Sequence, residues 1–167
     1  MLEEKDIYRI FNELDIEYKA VHHEALYTID AAKDIDRQLG VAICKNLFLS
    51  TRHGSEFYLL FMEGDKKFNT GKVSKQIGVP RMTFASGEKM EELLGIHPGS
   101  VTPLGLLNDG ENKVGFLIDS DVVKSEYVSM HPLINTATVL IKTDDLLNKV
   151  LPYAKHNYRV VEVGQEG

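Results

Sequence analysis

The sequence has no tryptophan, and its 167 residues include one cysteine, Cys44. A single cysteine excludes an internal disulfide and points to a reducing compartment. No apolar run approaches the roughly 20 residues that a membrane-spanning helix needs, so no membrane partner is expected. The opening Met1-Leu2-Glu3-Glu4-Lys5-Asp6 lacks the basic-then-apolar layout of a secretory signal, and a cytoplasmic location follows as an expectation. Basic residues are outnumbered: 19 Lys and Arg stand against 25 Asp and Glu, a formal net charge of −6. That balance argues against a protein that coats long stretches of nucleic acid, and against a DNA partner. It leaves room for a small local contact.

Several chemistries lack their signatures. The phosphate-loop pattern G-x-x-x-x-G-K-[ST] occurs nowhere. Ser100, in His97-Pro98-Gly99-Ser100-Val101-Thr102-Pro103, is not in the G-x-S-x-G elbow of a serine hydrolase. His23-Glu24 would need a second histidine at position 27 to form a zinc-binding helix, and Tyr27 stands there. No Cys–His spacing suits a structural zinc. Neither a metal nor a cofactor is expected. Cys44 reads either as a nucleophile or as a small buried hydrophobe, the second being the more usual role.

What is present reads as one α+β domain over 1–167, about the length that buries a single substantial core. Ile7, Ile10, Phe11 and Leu14 recur at helical spacing and predict an amphipathic helix. Thr28 can cap a second helix that Gly40 ends. Strands are predicted over 42–50 and 56–62, joined as a hairpin through Arg52-His53-Gly54-Ser55. Helices follow over 70–77 and 86–94, closed by Gly78 and Gly95. After the Pro- and Gly-rich loop 96–105 come strands over 114–119, 127–130 and 137–142, a helix from Thr143 to about His156, and a last strand over 158–163. Short turns join some strands and helices join others. The expected sheet is therefore mixed, mostly antiparallel, and flanked by helices.

Within the strand Val41-Ala42-Ile43-Cys44-Lys45-Asn46-Leu47-Phe48-Leu49-Ser50 a charge sits among apolar neighbours. Burying an ammonium is costly unless it is paired or used. Lys45 either snorkels from a strand end or serves a site by binding a phosphate or polarising a carbonyl. Strict alternation would send Lys45 and Asn46 to opposite faces, so both can serve one site only at a strand end or a bulge. The loop around Gly99 and Ser100 offers backbone N–H groups that could hold a carbonyl oxygen, or is a plain crossover. Lys66, Lys67, Lys72 and Lys75 lie in a stretch without an acid, either a solvated face or a phosphate-contacting patch.

Taken together, His23-Glu24-Ala25-Leu26-Tyr27-Thr28, Cys44-Lys45-Asn46-Leu47-Phe48-Leu49, Pro98 to Leu106, Asn108-Asp109 and His131 to Val139 resemble, in order, the YbaK/ProX aminoacyl-tRNA deacylases. Within them the chain is most similar to free-standing prolyl-tRNA editing proteins of the PrdX (ProXp-ala) type. The cysteinyl-tRNA(Pro) branch typically has threonine after the lysine, so Asn46 favours the alanine branch. The resemblance implies cleavage of the ester in mischarged Ala-tRNA(Pro). Lys45 and Asn46 would hold the terminal adenosine or the ester region. The Gly99 and Ser100 backbone would bind the carbonyl, and His131 would face the amino acid or ribose. Leu26 and Ile29 would line the amino-acid pocket, and the lysine patch would meet the acceptor end of tRNA(Pro). Prolyl-tRNA synthetase is the implied protein partner. Another mischarged tRNA (Cys- or Ser-), or a non-catalytic module that holds tRNA or a synthetase, are the alternatives.

Overall fold

The computed structural model describes residues 1–25, 35, 37, 39–41 and 44–164. Helix α1 (Glu4–Glu13) carries Ile7, Ile10 and Phe11 on its buried face, and the Glu3 N–H donates to Asp6 across its first turn. Strand β1 (Lys19–His22) follows. The helix expected between Thr28 and Gly40 lies largely outside the described residues; Ile35 and Leu39, within them, are buried. β2 (Cys44–Ser50) and β3 (Phe57–Glu63) form the expected antiparallel hairpin.

Helix α2 (Thr70–Ile77) starts where the Asn69 side chain accepts from the Lys72 N–H at 2.9 Å, and it ends at Gly78 with φ of +74°. β4 (Thr83–Phe84) is only two residues long. Helix α3 (Gly87–Leu94) is capped by Ser86 and closed by Gly95 at φ +66°. The Pro- and Gly-rich loop then winds into a 3₁₀ turn, Pro103–Asn108, that Thr102 caps. β5 (Val114–Asp119), α4 (Ser120–Val123), β6 (Tyr127–Met130), β7 (Ala137–Lys142) and finally β8 (Tyr158–Val161) complete the strands.

Between β7 and β8 the helix begins as α5 (Thr143–Asp145), widens into a π-helical turn at Leu146–Val150 and resumes as α6 (Leu151–Tyr153). Pro152 supplies the reason. It has no N–H to donate, and its ring would press on the carbonyl four residues back, so the turn before it opens to wider hydrogen bonding.

The strands divide into two sheets rather than one. β1, β7 and β6 make an antiparallel three-stranded sheet. The other sheet has the order β4-β2-β3-β5-β8, antiparallel through β4, β2 and β3 and parallel from β3 to β8. Antiparallel pairings still predominate. Between the sheets lies the main core, built from Phe48, Leu59, Phe61, Phe116 and Ile118 against Val128, Met130, Val139 and Ile141, with α1, α3 and the C-terminal helix sealing it. On the outer face of the five-stranded sheet, Leu49, Leu60, Met62, Leu117 and Val161 pack beneath α2 around Val73. With both faces covered, β5 needs an apolar side chain at nearly every position, which is how Val114-Gly115-Phe116-Leu117-Ile118 reads.

Candidate active site

Lys45 and Asn46 are the second and third residues of β2. Pairing with β3 is unbroken from Cys44 opposite Glu63 to Ser50 opposite Phe57, so no bulge re-aims either side chain. Asn46 opposes Phe61 and points into the layer between the sheets; Lys45 opposes Met62 and points to the outer face with Leu47 and Leu49. β4 covers β2 only at Leu49 and Ser50. Among the described residues, the flank of β2 at Lys45 and Asn46 that faces away from β3 pairs with no strand.

Each of the two has an unbalanced group. The Lys45 ammonium donates to the Lys66 carbonyl at 2.8 Å, and no carboxylate among the described residues pairs with it. Asn46 Oδ1 is buried and accepts no hydrogen bond from the described residues. A buried acceptor left empty costs about 1–3 kcal/mol, and in native structures such groups cluster where a ligand completes them.

The carbonyl that holds Lys45 belongs to a fixed turn. Lys66 Nζ reaches Asp119 at 2.8 Å and Asp121 at 2.6 Å, while Asp119 also accepts the Glu63 N–H at 3.0 Å. Burial alone would lower the Lys66 pKa, but the hydrogen bonds to Asp119 and Asp121 outweigh it and hold the ammonium above the ordinary lysine value. Lys66 is therefore committed to two carboxylates. Lys67, Lys72 and Lys75 carry no such pair among the described residues, and Lys72 and Lys75 line a groove of about 740 Å³ with Asn69, Gly71, Gln76 and Glu162.

His131 follows β6 directly. Its Nδ1–H donates to the Ala137 carbonyl at 2.9 Å. Burial pushes its pKa below the ordinary imidazole value, the Ala137 hydrogen bond opposes this in part, and nearby His23 adds to the lowering. The ring is therefore neutral at pH 7, with Nε2 left as a lone-pair acceptor. His23 sits edge-on to it, ring centroids 6.4 Å apart. The His23 Nδ1–H donates to the Glu24 carbonyl at 2.7 Å, and its Nε2 is hydrogen-bonded to the Thr138 hydroxyl at 2.8 Å. His23, Thr138 and Asn135 lie in the motifs that carry the family resemblance, but the sequence assigns them no site role. The register of β1 on β7, with His22 opposite Ala137, is what assembles the first two.

Gly99 has φ of +97°, and a side chain there would stand 3.7 Å from Asn135 Nδ2. Ser100 is buried, and both its N–H and its hydroxyl donate to the His97 carbonyl at 3.1 and 3.0 Å. The Ser100 N–H is thus engaged inside the turn. Any backbone carbonyl-binding donor in this part of the loop must come from Gly99 or Val101, since Pro98 has no N–H. Leu26 and Ile29 lie outside the described residues. Met130 and Leu133, on either side of His131, share the main core with Phe61, the residue opposite Asn46. No hydrogen bond joins Lys45 or Asn46 to His131 among the described residues. Among the described residues, no three His, Cys, Asp or Glu side chains converge as metal ligands would.

The fold is shared with a solved structure described as a candidate trans-editing enzyme for prolyl tRNA synthetase. The two superpose with a TM-score of 0.72 over 99% of this chain and 100% of that one, at 19% identity. Residues 23–149 match the family model of the aminoacyl-tRNA editing domain. The Prolyl-tRNA editing protein ProX of Acetoanaerobium sticklandii is 32% identical over 152 residues, 91% of this chain and 92% of that protein. Prolyl-tRNA synthetase associated domain-containing protein 1 of Danio rerio is 28% identical over 145 residues, 86% of this chain and 78% of that protein. The chain belongs to the aminoacyl-tRNA editing domain family and is an aminoacyl-tRNA deacylase. No described helix is long and apolar enough to cross a membrane.

Proposed function

We propose that the chain, acting as one editing domain over 1–167, removes alanine from mischarged tRNA(Pro). The observation that carries this reading is the empty, buried Asn46 Oδ1 beside the open edge that also exposes Lys45. An acceptor in that position suits an N–H or O–H of the substrate, such as the α-ammonium of a small amino acid or a ribose hydroxyl. The names of the relatives, ProX and a synthetase-associated protein, direct the proposal to tRNA(Pro) and to prolyl-tRNA synthetase as a partner.

The need for such an enzyme is physical. A pocket sized for proline cannot exclude the smaller alanine, because each missing methylene changes discrimination by only about 1–3 kcal/mol. A second, tighter pocket admits alanine and rejects proline by overlap, and Leu26 and Ile29 are proposed as part of its wall. Water adds to the acyl carbon, the carbon–oxygen bond to the ribose breaks, and the ribose oxygen takes up a proton. Lys45 would hold the phosphate or ester of the terminal adenosine, and Asn46 the group that donates to it. The Gly99 side of the loop would bind the carbonyl. His131, neutral and with no partner on Nε2 among the described residues, would accept from the amino group or a ribose hydroxyl. The adjacent ribose hydroxyl is proposed to help position the water.

Deacylation of labelled Ala-, Ser-, Cys- and Pro-tRNA(Pro) tests the substrate. Alanine is expected to be released fastest and proline retained. Preferred release of cysteine or serine would move the assignment to that amino acid.

The acceptor end is proposed to meet Lys67, Lys72 and Lys75, with Lys66 set aside because Asp119 and Asp121 already hold it. Changing the three to Glu is expected to weaken binding of charged tRNA. It should also reduce the slope of log affinity against log salt by roughly 0.7–0.9 for each phosphate no longer neutralised. Unchanged binding across a salt titration would discard the patch.

A further inference from the structure

The edge strand β4 presents Phe84 to solvent with 66% of its surface exposed. An exposed aromatic on a sheet edge invites aggregation unless something covers it in use. Phe84 lies directly opposite Leu49 and so shares the outer face with Lys45. Its ring is tilted against that of Phe68, centroids 6.1 Å apart. Phe68 is two residues beyond Lys66, whose carbonyl holds the Lys45 ammonium. Leu49 is four residues from Lys45 along β2, a separation of about 13 Å. The chain segment that carries Phe84 is one-sided in charge. From Lys66 to Ser86 there is no acid, and the cations are Lys66, Lys67, Lys72, Lys75 and Arg81. Arg81, Lys67, Lys72 and Lys75 have no carboxylate partner among the described residues.

An exposed ring backed by a second ring, in a segment with four cations that have no carboxylate partner among the described residues, and about 13 Å along β2 from the lysine proposed to hold the ester, is a platform for an unpaired base. We infer that Phe84 stacks on a base in the single-stranded 3′ end of the tRNA while Lys45 engages the terminal adenosine. The inference rests on the editing reading of the Lys45 edge. It adds a contact that fixes the strand upstream of the ester and is indifferent to which base it meets, since every base has a flat face.

Binding of an uncharged RNA hairpin tests this without relying on deacylation. Two hairpins are compared, one ending in an unpaired 3′ strand and one blunt, by fluorescence anisotropy at low salt. Phe84→Ala is expected to weaken binding of the overhang hairpin by roughly five- to a hundredfold, the range for one base stacked on one ring. Phe84→Leu should weaken it similarly and Phe84→Trp should retain it. Binding of the blunt hairpin should be the same in all. Because Phe84 is exposed, the variants are expected to melt with the wild type. Equal affinity of wild type and Phe84→Ala for the overhang hairpin would overturn the inference and leave the patch to a protein partner. Absence of deacylase activity would remove the editing reading yet leave this comparison intact.

Discussion

Lys45→Ala is expected to hydrolyse Ala-tRNA(Pro) roughly a hundredfold or more slowly than the wild type while remaining folded. The size follows from removing a cation proposed to sit where charge develops on the reacting ester, an effect on the order of 10²–10³ in rate. The preserved fold follows from its partner. Among the described residues Lys45 makes one hydrogen bond, to the Lys66 carbonyl, and the turn carrying that carbonyl is tied down separately through Lys66, Asp119 and Asp121. The loss is then one ordinary hydrogen bond, about 1 kcal/mol. Lys45→Met keeps an unbranched apolar stem on the same face of β2 and isolates the charge. Single-turnover deacylation and thermal melting of both variants check the claim. Activity within a few-fold of wild type would remove Lys45 from the site.

The largest stability effect is expected far from that edge. Asp109 and His156 form a pair whose side chains are 2% and 1% exposed, 2.9 Å apart. The other ring nitrogen of His156 faces the Ala154 carbonyl at 2.7 Å. Asp109 also accepts the N–H groups of Lys113 and Val114, at 3.0 and 2.8 Å, where β5 begins. Asp109→Ala would therefore strand a buried imidazole donor and two backbone donors at once. Breaking a buried pair on one side costs about 3–5 kcal/mol, a large share of the roughly 5–15 kcal/mol that holds a domain together. At about 2–4 °C per kcal/mol for a chain of this length, the melting point should fall by roughly 10 °C. Asp109→Ala with His156→Leu should lose less than the sum of the two single variants, because the histidine is no longer left unpaired. A single-variant shift below about 3 °C would show that the pair is not structural.

Local structure is legible where one residue type decides it. Gly78 and Gly95 end α2 and α3 in left-handed conformations that other residues adopt at a cost. The hairpin of β2 and β3 follows from two apolar runs around a short polar turn. The split into two sheets is not legible, because strand length and alternation do not say which strand pairs with which. The π-turn before Pro152 is written in the sequence as a proline inside a helical pattern, whose effect depends on whether packing keeps the helix going.

The site divides in the same way. Lys45 stands out as a charge in an apolar strand, and the structure leaves it without a counter-charge among the described residues. Asn46 stands out only through its neighbour; its empty acceptor is a property of packing. The Lys66 ammonium and the Ser100 N–H look available in the sequence and are engaged in the fold, by Asp119 and Asp121 in one case and by the His97 carbonyl in the other. Asn108-Asp109 reads as a turn, yet Asn108 bonds Leu2 and Leu94 while Asp109 bonds His156. Contacts over 106 and 47 residues leave no local pattern to read.

The most direct test of the editing function is the release of labelled alanine and proline from tRNA(Pro) by the wild-type protein, measured side by side with binding of each charged tRNA. Rapid loss of alanine, retention of proline, and binding of both are expected. Binding of Ala-tRNA(Pro) with no turnover of either ester would contradict that function.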